Sequence, residues 1–287
     1  MDLLASANQA LRHVLRARGV RSTFVRAGGQ AVHYYALGGV AGRTPLVLVH
    51  GLGGSANGFY KTFLPLSRRF GQVFALDLPG NGFSPLPPTG PSSLRALLAV
   101  LAGFLDEVVR TPAYVVGNSL GGALAATLAH ERPEVVRALG LVAPAGAQVA
   151  KERMQELFSA LDVQGPAAAR SLTRRLFHRA PLPLLLLTGE LRKLYSTEAV
   201  KAVVAEAQKE ETLFLAPQVL QSIQAPTLLL WGKSEKLLPF EGVDYFRAHL
   251  PAHARIEVVE GFGHVPQMER PAQLVEHLVR FADAHSL

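Results

Sequence analysis

The sequence contains no cysteine among its 287 residues. Disulfide bridges, thiol catalysis and cysteine-ligated metal sites are therefore excluded. It also contains no run of about 18 uncharged apolar residues, so we predict no transmembrane helix. The first residues carry no basic segment followed by an apolar run, which is the pattern of a secretory signal. We therefore expect a cytoplasmic protein without an integral membrane segment.

The short motifs that bind common cofactors and metals are also missing. Neither the phosphate-loop pattern G-x-x-x-x-G-K-S/T nor the dinucleotide pattern G-x-G-x-x-G occurs at a turn from strand to helix. The zinc pattern H-E-x-x-H is absent too, and His249 and His253 are separated by Leu250 and Pro251, where a helix would break. We predict neither a cofactor nor a bound metal.

Acidic side chains are fewer than basic ones, which leaves a formal net charge of +7. A basic excess can indicate nucleic-acid binding, but no nucleic-acid motif accompanies it here. We interpret the arginines as solvated helix faces rather than as a contact for a polyanion or a membrane surface, and we predict no nucleic-acid partner. They form two groups, Arg12, Arg16, Arg18, Arg21 and Arg26 near the start and Arg170, Arg174, Arg175 and Arg179 further on.

The first arginine group lies among apolar residues with helical spacing. Leu4, Leu11, Val14 and Leu15 would share one side of a helix. We expect this helix to pack on the body of the protein.

Residues 115–122 read Val-Val-Gly-Asn-Ser-Leu-Gly-Gly and match the pattern G-x-S-x-G. A β-branched run precedes Ser119 and a helix-forming run follows it, which is the context that the pattern requires. A turn this tight strains the backbone of the serine and leaves no room for side chains at Gly117 and Gly121. It would expose the hydroxyl at the top of a sheet, beside the free N–H groups of a helix start.

Short apolar runs alternate with helical patterns along most of the chain. Continuous apolar runs such as residues 45–49 are typical of strands buried on both faces of a parallel sheet. The alternation predicts an α/β fold, with a doubly wound, mostly parallel sheet and helices on both faces. The predicted strands are 31–37, 45–49, 73–76, 113–116, 138–142, 226–231 and 255–259, and the predicted helices include 59–70, 94–109, 123–130, 240–249 and 271–282.

The alternation stops after Pro144 and returns near Pro226. The residues between are helix-like and include Pro-Leu-Pro-Leu-Leu-Leu-Leu at 181–187. We predict a helical cap at 145–217, inserted into a core formed by 1–144 and 218–287.

The chain resembles the α/β-hydrolase fold family over nearly all of its length. The resemblance rests on five motifs in the family's order: His50-Gly51, residues 77–84, residues 117–122, residues 231–239 from Trp231-Gly232 to Pro239, and Gly261-Phe262-Gly263-His264. It implies a serine nucleophile, an acid and a histidine in that chain order, at Ser119, Glu235 and His264. It also implies an oxyanion hole formed by the N–H groups of Leu52 and Leu120, with His50 shaping the loop.

Glu235 departs from the family pattern, in which most relatives carry aspartate at that position. A glutamate can also orient an imidazole and stabilise its charged form, although its side chain is one methylene longer. Some hydrolases of this fold place the acid after the strand that follows the nucleophile helix. That segment reads Val-Ala-Pro-Ala-Gly at 142–146 and contains no carboxylate. A surface charge is the alternative interpretation of Glu235.

The resemblance predicts a serine hydrolase that cleaves a carboxylic ester of small to medium acyl chain through an acyl-enzyme. One alternative is C–C bond hydrolysis of ring-cleavage diketones, although those enzymes usually carry tryptophan where Val265 stands. Another is a non-catalytic binding member of the fold. Dehalogenase and epoxide hydrolase chemistry is disfavoured, because it needs an aspartate in place of Ser119.

We expect the substrate to be a small-molecule ester that contacts four residues. Gly53 and Gly54 let the oxyanion loop approach it closely, while Leu184 and Leu185 would contact its acyl chain. The run of leucines is equally consistent with the buried core of the cap. The sequence does not distinguish a monomer from a homodimer.

Overall fold

A computed structural model describes residues 3–209 and 214–287. They form one eight-stranded sheet in the spatial order β1-β2-β4-β3-β5-β6-β7-β8. β2 pairs antiparallel with both β1 and β4, and every other pair of neighbours is parallel. The strands are β1 (Arg21–Ala27), β2 (Gln30–Gly38), β3 (Leu46–Val49), β4 (Gln72–Leu76), β5 (Ala113–Asn118), β6 (Val136–Val142), β7 (Thr227–Gly232) and β8 (Arg255–Val259).

Helices cover both faces of the sheet. They are α1 (Leu3–Ala17), α2 (Phe63–Ser67), α3 (Leu94–Phe104), α4 (Leu120–Glu131), α5 (Lys151–Leu161), α6 (Pro166–Leu176), α7 (Leu182–Leu186), α8 (Thr188–Tyr195), α9 (Glu198–Gln208), α10 (Pro217–Gln221), α11 (Glu241–His249), α12 (Pro266–Glu269) and α13 (Pro271–Ala284). Short 3₁₀ helices span Ala56–Phe59 and Pro133–Val135, and a π-helical turn, Leu105–Val109, extends α3.

Two apolar clusters lie on opposite faces of the sheet. One contains Val47 and Val115 with the buried residues of α3 and α4, and the other contains Leu48 and Val116 with those of α2 and α13. Neighbouring residues of a strand point to opposite faces, so each central strand contributes to both clusters. Every residue of β3, β5 and β7 is buried. The predicted fold class is therefore confirmed.

The structure differs from the sequence prediction at several elements, of which two are informative. β1, Arg21–Ala27, was not predicted; it lies at the edge of the sheet and carries polar residues at several positions. The helix predicted at 59–70 is a 3₁₀ turn followed by the five-residue α2. Between them the N–H and the hydroxyl of Thr62 both donate to the carbonyl of Phe59, at 2.8 and 2.7 Å, which closes the first turn.

The segment between β6 and β7 is helical over most of its described residues, from α5 to α9. We keep the name cap for 145–217 and propose the division into core and cap as predicted. Residues 1, 2 and 210–213 of that division lie outside the described residues. In the described ranges no helix has the length and apolar character that crossing a membrane requires. The cytoplasmic location remains a prediction.

Candidate active site

Ser119 lies between β5 and α4, at the carboxyl edge of the sheet. Its φ of 55° and ψ of −119° lie in a region that residues other than glycine rarely adopt. The carbonyl of Ser119 accepts hydrogen bonds from the N–H groups of Ala123, at 3.1 Å, and Ala145, at 3.0 Å. Its own N–H donates to the carbonyl of Val142 at 3.1 Å. The first turn of α4 and the end of β6 with the residues after it therefore hold the serine in its strained turn.

Two glycines make this turn possible. A Cβ on Gly117 would collide with the carbonyl of Gly121, and a Cβ on Gly121 would collide with the carbonyls of Val49 and His50. Backbone atoms cannot move aside as a flexible side chain can, so larger residues are excluded at both positions. The G-x-S-x-G pattern thus reflects the packing that it predicted.

His264 and Glu235 form a buried pair. Nδ1 of His264 lies 2.8 Å from Oε2 of Glu235, and the side chains are 4% and 0% exposed. Oε1 of the same carboxylate accepts hydrogen bonds from the N–H groups of Leu237, at 2.7 Å, and Leu238, at 3.0 Å. A carboxylate only accepts, so Nδ1 of His264 carries its proton and Nε2 of the neutral ring is an acceptor. The length of the glutamate is accommodated because its loop folds back onto the carboxylate.

Ser119 and His264 border the same cavity. Among the hydrogen bonds of the described residues, none joins Oγ of Ser119 to Nε2 of His264. Such bonds are often long in an enzyme without substrate and shorten when substrate binds. The geometry therefore brings the serine, the histidine and the glutamate to one place, with the histidine–glutamate bond already formed.

His50 holds the loop that follows β3. Its Nδ1 lies 2.8 Å from the carbonyl of Gly51, and its Nε2 accepts the N–H of Leu78 at 3.0 Å. Because both ring nitrogens are used in this way, the ring is the neutral Nδ1–H tautomer. Burial lowers the pKa of His50, while the nearby Asp77 and the bond to Gly51 oppose that shift. His50 therefore has the contacts of a loop-shaping residue.

Leu52 and Leu120, the predicted oxyanion donors, both border the cavity beside Ser119. Leu120 is the first residue of α4, where helix geometry leaves the N–H without an intrahelical acceptor. In the described part of the chain, the N–H of Leu52 has no acceptor either. Two residues beside Ser119 at the cavity thus have backbone N–H groups without an acceptor among the described residues, and the oxyanion hole remains a prediction.

The cavity above Ser119 has a volume of about 670 Å³ and is mostly apolar. That volume is well within the range of small-molecule sites and far exceeds the needs of an acetyl group. The core, including α1, and the cap both contribute to its walls. Its apolar lining includes Leu4, Leu11, Leu157, Leu161, Leu176, Leu184, Leu187, Leu191 and Leu194.

The predicted substrate contacts fall partly within this lining. Gly53, Gly54 and Leu184 border the cavity, whereas Leu185 is half-buried and is not among the described lining residues. Gly53 has a φ of 65°, and a Cβ there would lie 3.3 Å from the ring of Tyr195 in α8. The cap therefore packs closely on the oxyanion loop at this glycine.

Asn118 is a residue at the site whose role the sequence did not indicate. Its Nδ2 donates to the carbonyls of Val142, at 3.0 Å, and His264, at 2.9 Å, while its Oδ1 accepts from Nε2 of Gln267 at 2.9 Å. The buried amide thus joins the serine turn to the histidine loop. It occupies the variable position of G-x-S-x-G, so the pattern gives no signal for it.

The contribution of α1 to the cavity was also not predicted. Oδ1 of Asn8 accepts from Nδ2 of Asn57 at 2.9 Å, and Nε of Arg12 donates to Oγ of Ser22 at 2.7 Å. At the other side, the N–H of Leu4 donates to Oε2 of Glu190 in α8 at 3.3 Å. The predicted packing of this helix on the body of the protein is confirmed, and it bridges core and cap.

Residues 46–277 match the alpha/beta hydrolase family. The chain is 29% identical to a dihydrolipoyllysine-residue acetyltransferase component of the acetoin cleaving system of Pseudomonas putida, over 94% of this chain and 71% of that protein. It is 25% identical to a monoacylglycerol lipase of Bos taurus, over 94% of this chain and 85% of the lipase.

The crystal structure of a bacterial membrane phospholipase A superposes with a TM-score of 0.85 at 28% identity, covering 98% of this chain and 92% of that one. The family match over residues 46–277 includes the strand that carries Ser119 and the loops of Glu235 and His264. Sheet order, strained serine turn and sequence match agree, and the chain belongs to the alpha/beta hydrolase family.

Proposed function

We propose that this protein hydrolyses carboxylic esters through an acyl-enzyme formed on Ser119. The observation that carries the proposal is the strained serine beside a buried histidine–glutamate pair, at the floor of a large apolar cavity. The lipase and phospholipase names of the relatives described above support ester chemistry.

In the first half-reaction, Nε2 of His264 accepts the proton of the Ser119 hydroxyl while Oγ attacks the ester carbonyl. The carbonyl oxygen becomes negative and is stabilised by the N–H groups of Leu52 and Leu120; removing one such donor typically costs about 10²- to 10³-fold in rate. The tetrahedral intermediate then collapses. The ester C–O bond breaks, and the alcohol leaves with the proton from His264.

In the second half-reaction, water takes the place of the alcohol. His264 accepts a proton from the water as its oxygen attacks the acyl carbon, and the same N–H groups stabilise the second oxyanion. Collapse of this intermediate returns the proton to Oγ of Ser119 and releases the carboxylic acid. The free enzyme is regenerated without any other reactant.

Glu235 has two roles in these steps. It keeps Nδ1 of His264 protonated, so that Nε2 presents a lone pair to the serine. It also stabilises the imidazolium that exists between proton transfers. Its own orientation depends on the N–H groups of Leu237 and Leu238, which donate to its second oxygen.

The apolar lining of the cavity supports the proposal that the protein recognises its substrate through an apolar acyl group. Each buried methylene contributes about 0.8 kcal/mol, so two to three methylenes would favour a medium-length ester over an acetate by one to two orders of magnitude. Leu184, Leu187 and Leu191 line the cap side of the cavity, which supports a contact with such a chain.

The test combines covalent labelling with a substrate series. A fluorophosphonate probe should label Ser119, as located by peptide mapping, and p-nitrophenyl esters from acetate to octanoate should be hydrolysed. A ring-cleavage diketone assayed on the same preparation separates ester from C–C hydrolysis. Well-folded protein that reacts with neither probe nor ester would contradict the proposal and favour a binding member of the fold.

A further inference from the structure

The last residue of α6, Leu176, and the two residues after it connect the cap to the predicted catalytic loops. The carbonyl of Leu176 accepts the N–H of His264 at 3.0 Å. Nδ1 of His178 lies 2.6 Å from Oγ of Ser234, and the carbonyl of His178 accepts from Nζ of Lys236 at 3.0 Å. This linking segment, residues 176–178, therefore contacts the loop of Glu235 on one side and the loop of His264 on the other.

Glu269 holds the linking segment against the histidine loop with both oxygens of its carboxylate. Oε1 accepts the N–H of Gly263 at 2.6 Å, and Oε2 accepts the N–H of His178 at 2.8 Å. One donor immediately precedes His264 and the other belongs to the cap. A single side chain of the short helix α12 thus joins two backbone segments that lie far apart in the sequence.

Gly263 shows how close this junction is. A Cβ at this position would lie 2.5 Å from the N of His178, 2.6 Å from Oε1 of Glu269 and 2.8 Å from the carbonyl carbon of Phe177. Two of these contacts are with backbone atoms, so the chains meet with no room for a side chain. The two segments are therefore close enough for one carboxylate to accept from both N–H groups.

We propose that Glu269 is a positioning residue that joins the backbone immediately before His264 to the linking segment, so that the exact position of the base depends on the contact between cap and core. The inference rests on the proposed ester hydrolysis. Glu269 touches no reacting atom; it acts through the N–H groups of Gly263 and His178. Leu176 and Phe177 line the cavity, so the same junction that places His264 also places part of the acyl-binding wall.

Glu269 is the residue to test because the other side chains that hold His264 make their hydrogen bonds within the core. Asn118 already holds the carbonyl of His264 from the core side, and Glu235 holds its ring. Neither of these reaches the cap. Burial raises the pKa of Glu269, and the N–H groups of His178 and Gly263 oppose that shift, so both donors favour the ionised carboxylate.

The test compares Glu269→Gln with Glu276→Gln, which removes an exposed carboxylate from the neighbouring helix α13. Glutamine has the shape of glutamate, but its NH₂ group would face one of the two N–H donors. A displacement of about 1 Å in a reacting group can cost about 10²-fold in rate. We therefore expect kcat for p-nitrophenyl acetate to fall tenfold to a hundredfold, on the order given by that cost, with KM for acetate nearly unchanged.

Two further readouts separate positioning from general stability. KM for the hexanoate ester should rise more than KM for acetate, because the linking segment lines the acyl cavity. Amide hydrogen exchange should accelerate both in peptides that contain residues 176–178 and in peptides that contain residues 263–264. Glu276→Gln should match the unaltered protein in every measurement, and Glu269→Asp, too short to reach both donors, should recover only part of kcat.

The proposal is overturned if Glu269→Gln keeps the original kcat and KM for both esters, or if only its melting temperature changes. It is also overturned if exchange accelerates at 263–264 while 176–178 stays protected, because the two segments would then not be coupled through Glu269. Should the unaltered protein hydrolyse no ester, the proposed function fails separately. The exchange measurement then still decides whether Glu269 joins the two segments.

Discussion

The carboxyl edge of the sheet and the helices that cover it are built in different ways. At the edge, each important group is held by backbone contacts: Ser119 by its strained turn, Glu235 by two N–H donors and His50 through both ring nitrogens. The covering helices contact the cavity mainly through leucines. On α7, Leu182 and Leu186 are even 69% and 76% exposed.

This difference suggests a division of roles, with the reacting groups at the sheet edge and the choice of substrate in the covering helices. A backbone collision such as the one at Gly117 permits one residue type, so the edge tolerates little change. Apolar packing depends on volume and shape, and a leucine can often be replaced by methionine or isoleucine at small cost. Under the proposed function, the same edge could therefore perform one reaction beneath covering helices that accept different acyl groups. The variants below test each side of this comparison.

Replacing the nucleophile should have the largest effect. Ser119→Ala removes the attacking hydroxyl but leaves a Cβ in the same strained turn, so we expect kcat to fall on the order of 10⁴-fold or more with little change in thermal stability. Steady-state ester hydrolysis and calorimetry measure the two quantities. An alanine variant that keeps most of its turnover would show that the edge does not carry the chemistry.

Replacing the acid should have the next largest effect. In Glu235→Gln, the amide oxygen can still accept from Leu237 and Leu238, but the NH₂ group would then donate to Nδ1 of His264. The proton would move to Nε2, which is the wrong tautomer for a base. We expect kcat to fall about 10²- to 10⁴-fold with KM nearly unchanged.

Glu235→Asp is the matched control for that loss. It keeps the charge and should retain a measurable fraction of kcat, because only the reach of the side chain is reduced. An unchanged kcat in the glutamine variant would mean that another carboxylate, or none, orients His264.

The two regions also differ in how much of them could be predicted from the sequence. Ser119 and His264 were identifiable because their surrounding glycines are required by backbone packing. Asn118 was not, because its amide reaches the carbonyl of His264, a contact across 146 residues of chain. The role of Asn118 depends on how β5 and the histidine loop come together, which no local sequence pattern indicates.

The covering helices illustrate the same limit. Leu184 and Leu185 were indistinguishable in a run of four leucines, and only the orientation of the short helix α7 places Leu184 at the cavity. The role of α1 depends on single contacts such as Asn8 with Asn57. The edge strand β1 has too many polar residues to be recognised as part of a sheet.

Shortening a leucine of the cap should have a smaller and more selective effect. In Leu184→Ala, the cavity loses apolar contact with the acyl chain, so KM for an octanoate ester should rise about threefold to tenfold while KM for acetate stays unchanged. Leu186→Ala is the control, since this side chain is on the same helix but 76% exposed. Equal chain-length profiles for both variants would place the acyl group elsewhere in the cavity.

The smallest expected effect concerns the pH dependence of stability at the sheet edge. Burial lowers the pKa of His50 in the folded protein below its ordinary value of 6.5. The unfolded chain therefore binds a proton before the folded one does. The contribution of the neutral ring to the free energy of unfolding is present above pH 6.5. It is lost as the pH falls towards the pKa of His50 in the folded protein, by at most about 1.4 kcal/mol per pH unit.

His50→Gln removes this titration and should flatten the fall in unfolding free energy between pH 6.5 and 5, measured by urea denaturation at each pH. Its stability above pH 7 should be lower, because glutamine does not reproduce the bonds to Gly51 and Leu78. Leu184→Ala, which changes the cavity wall and no ionisable group, should keep the original slope. If His50→Gln keeps that slope too, the acid sensitivity arises at another group, and the neutral His50 ring is not what makes the edge sensitive to acid.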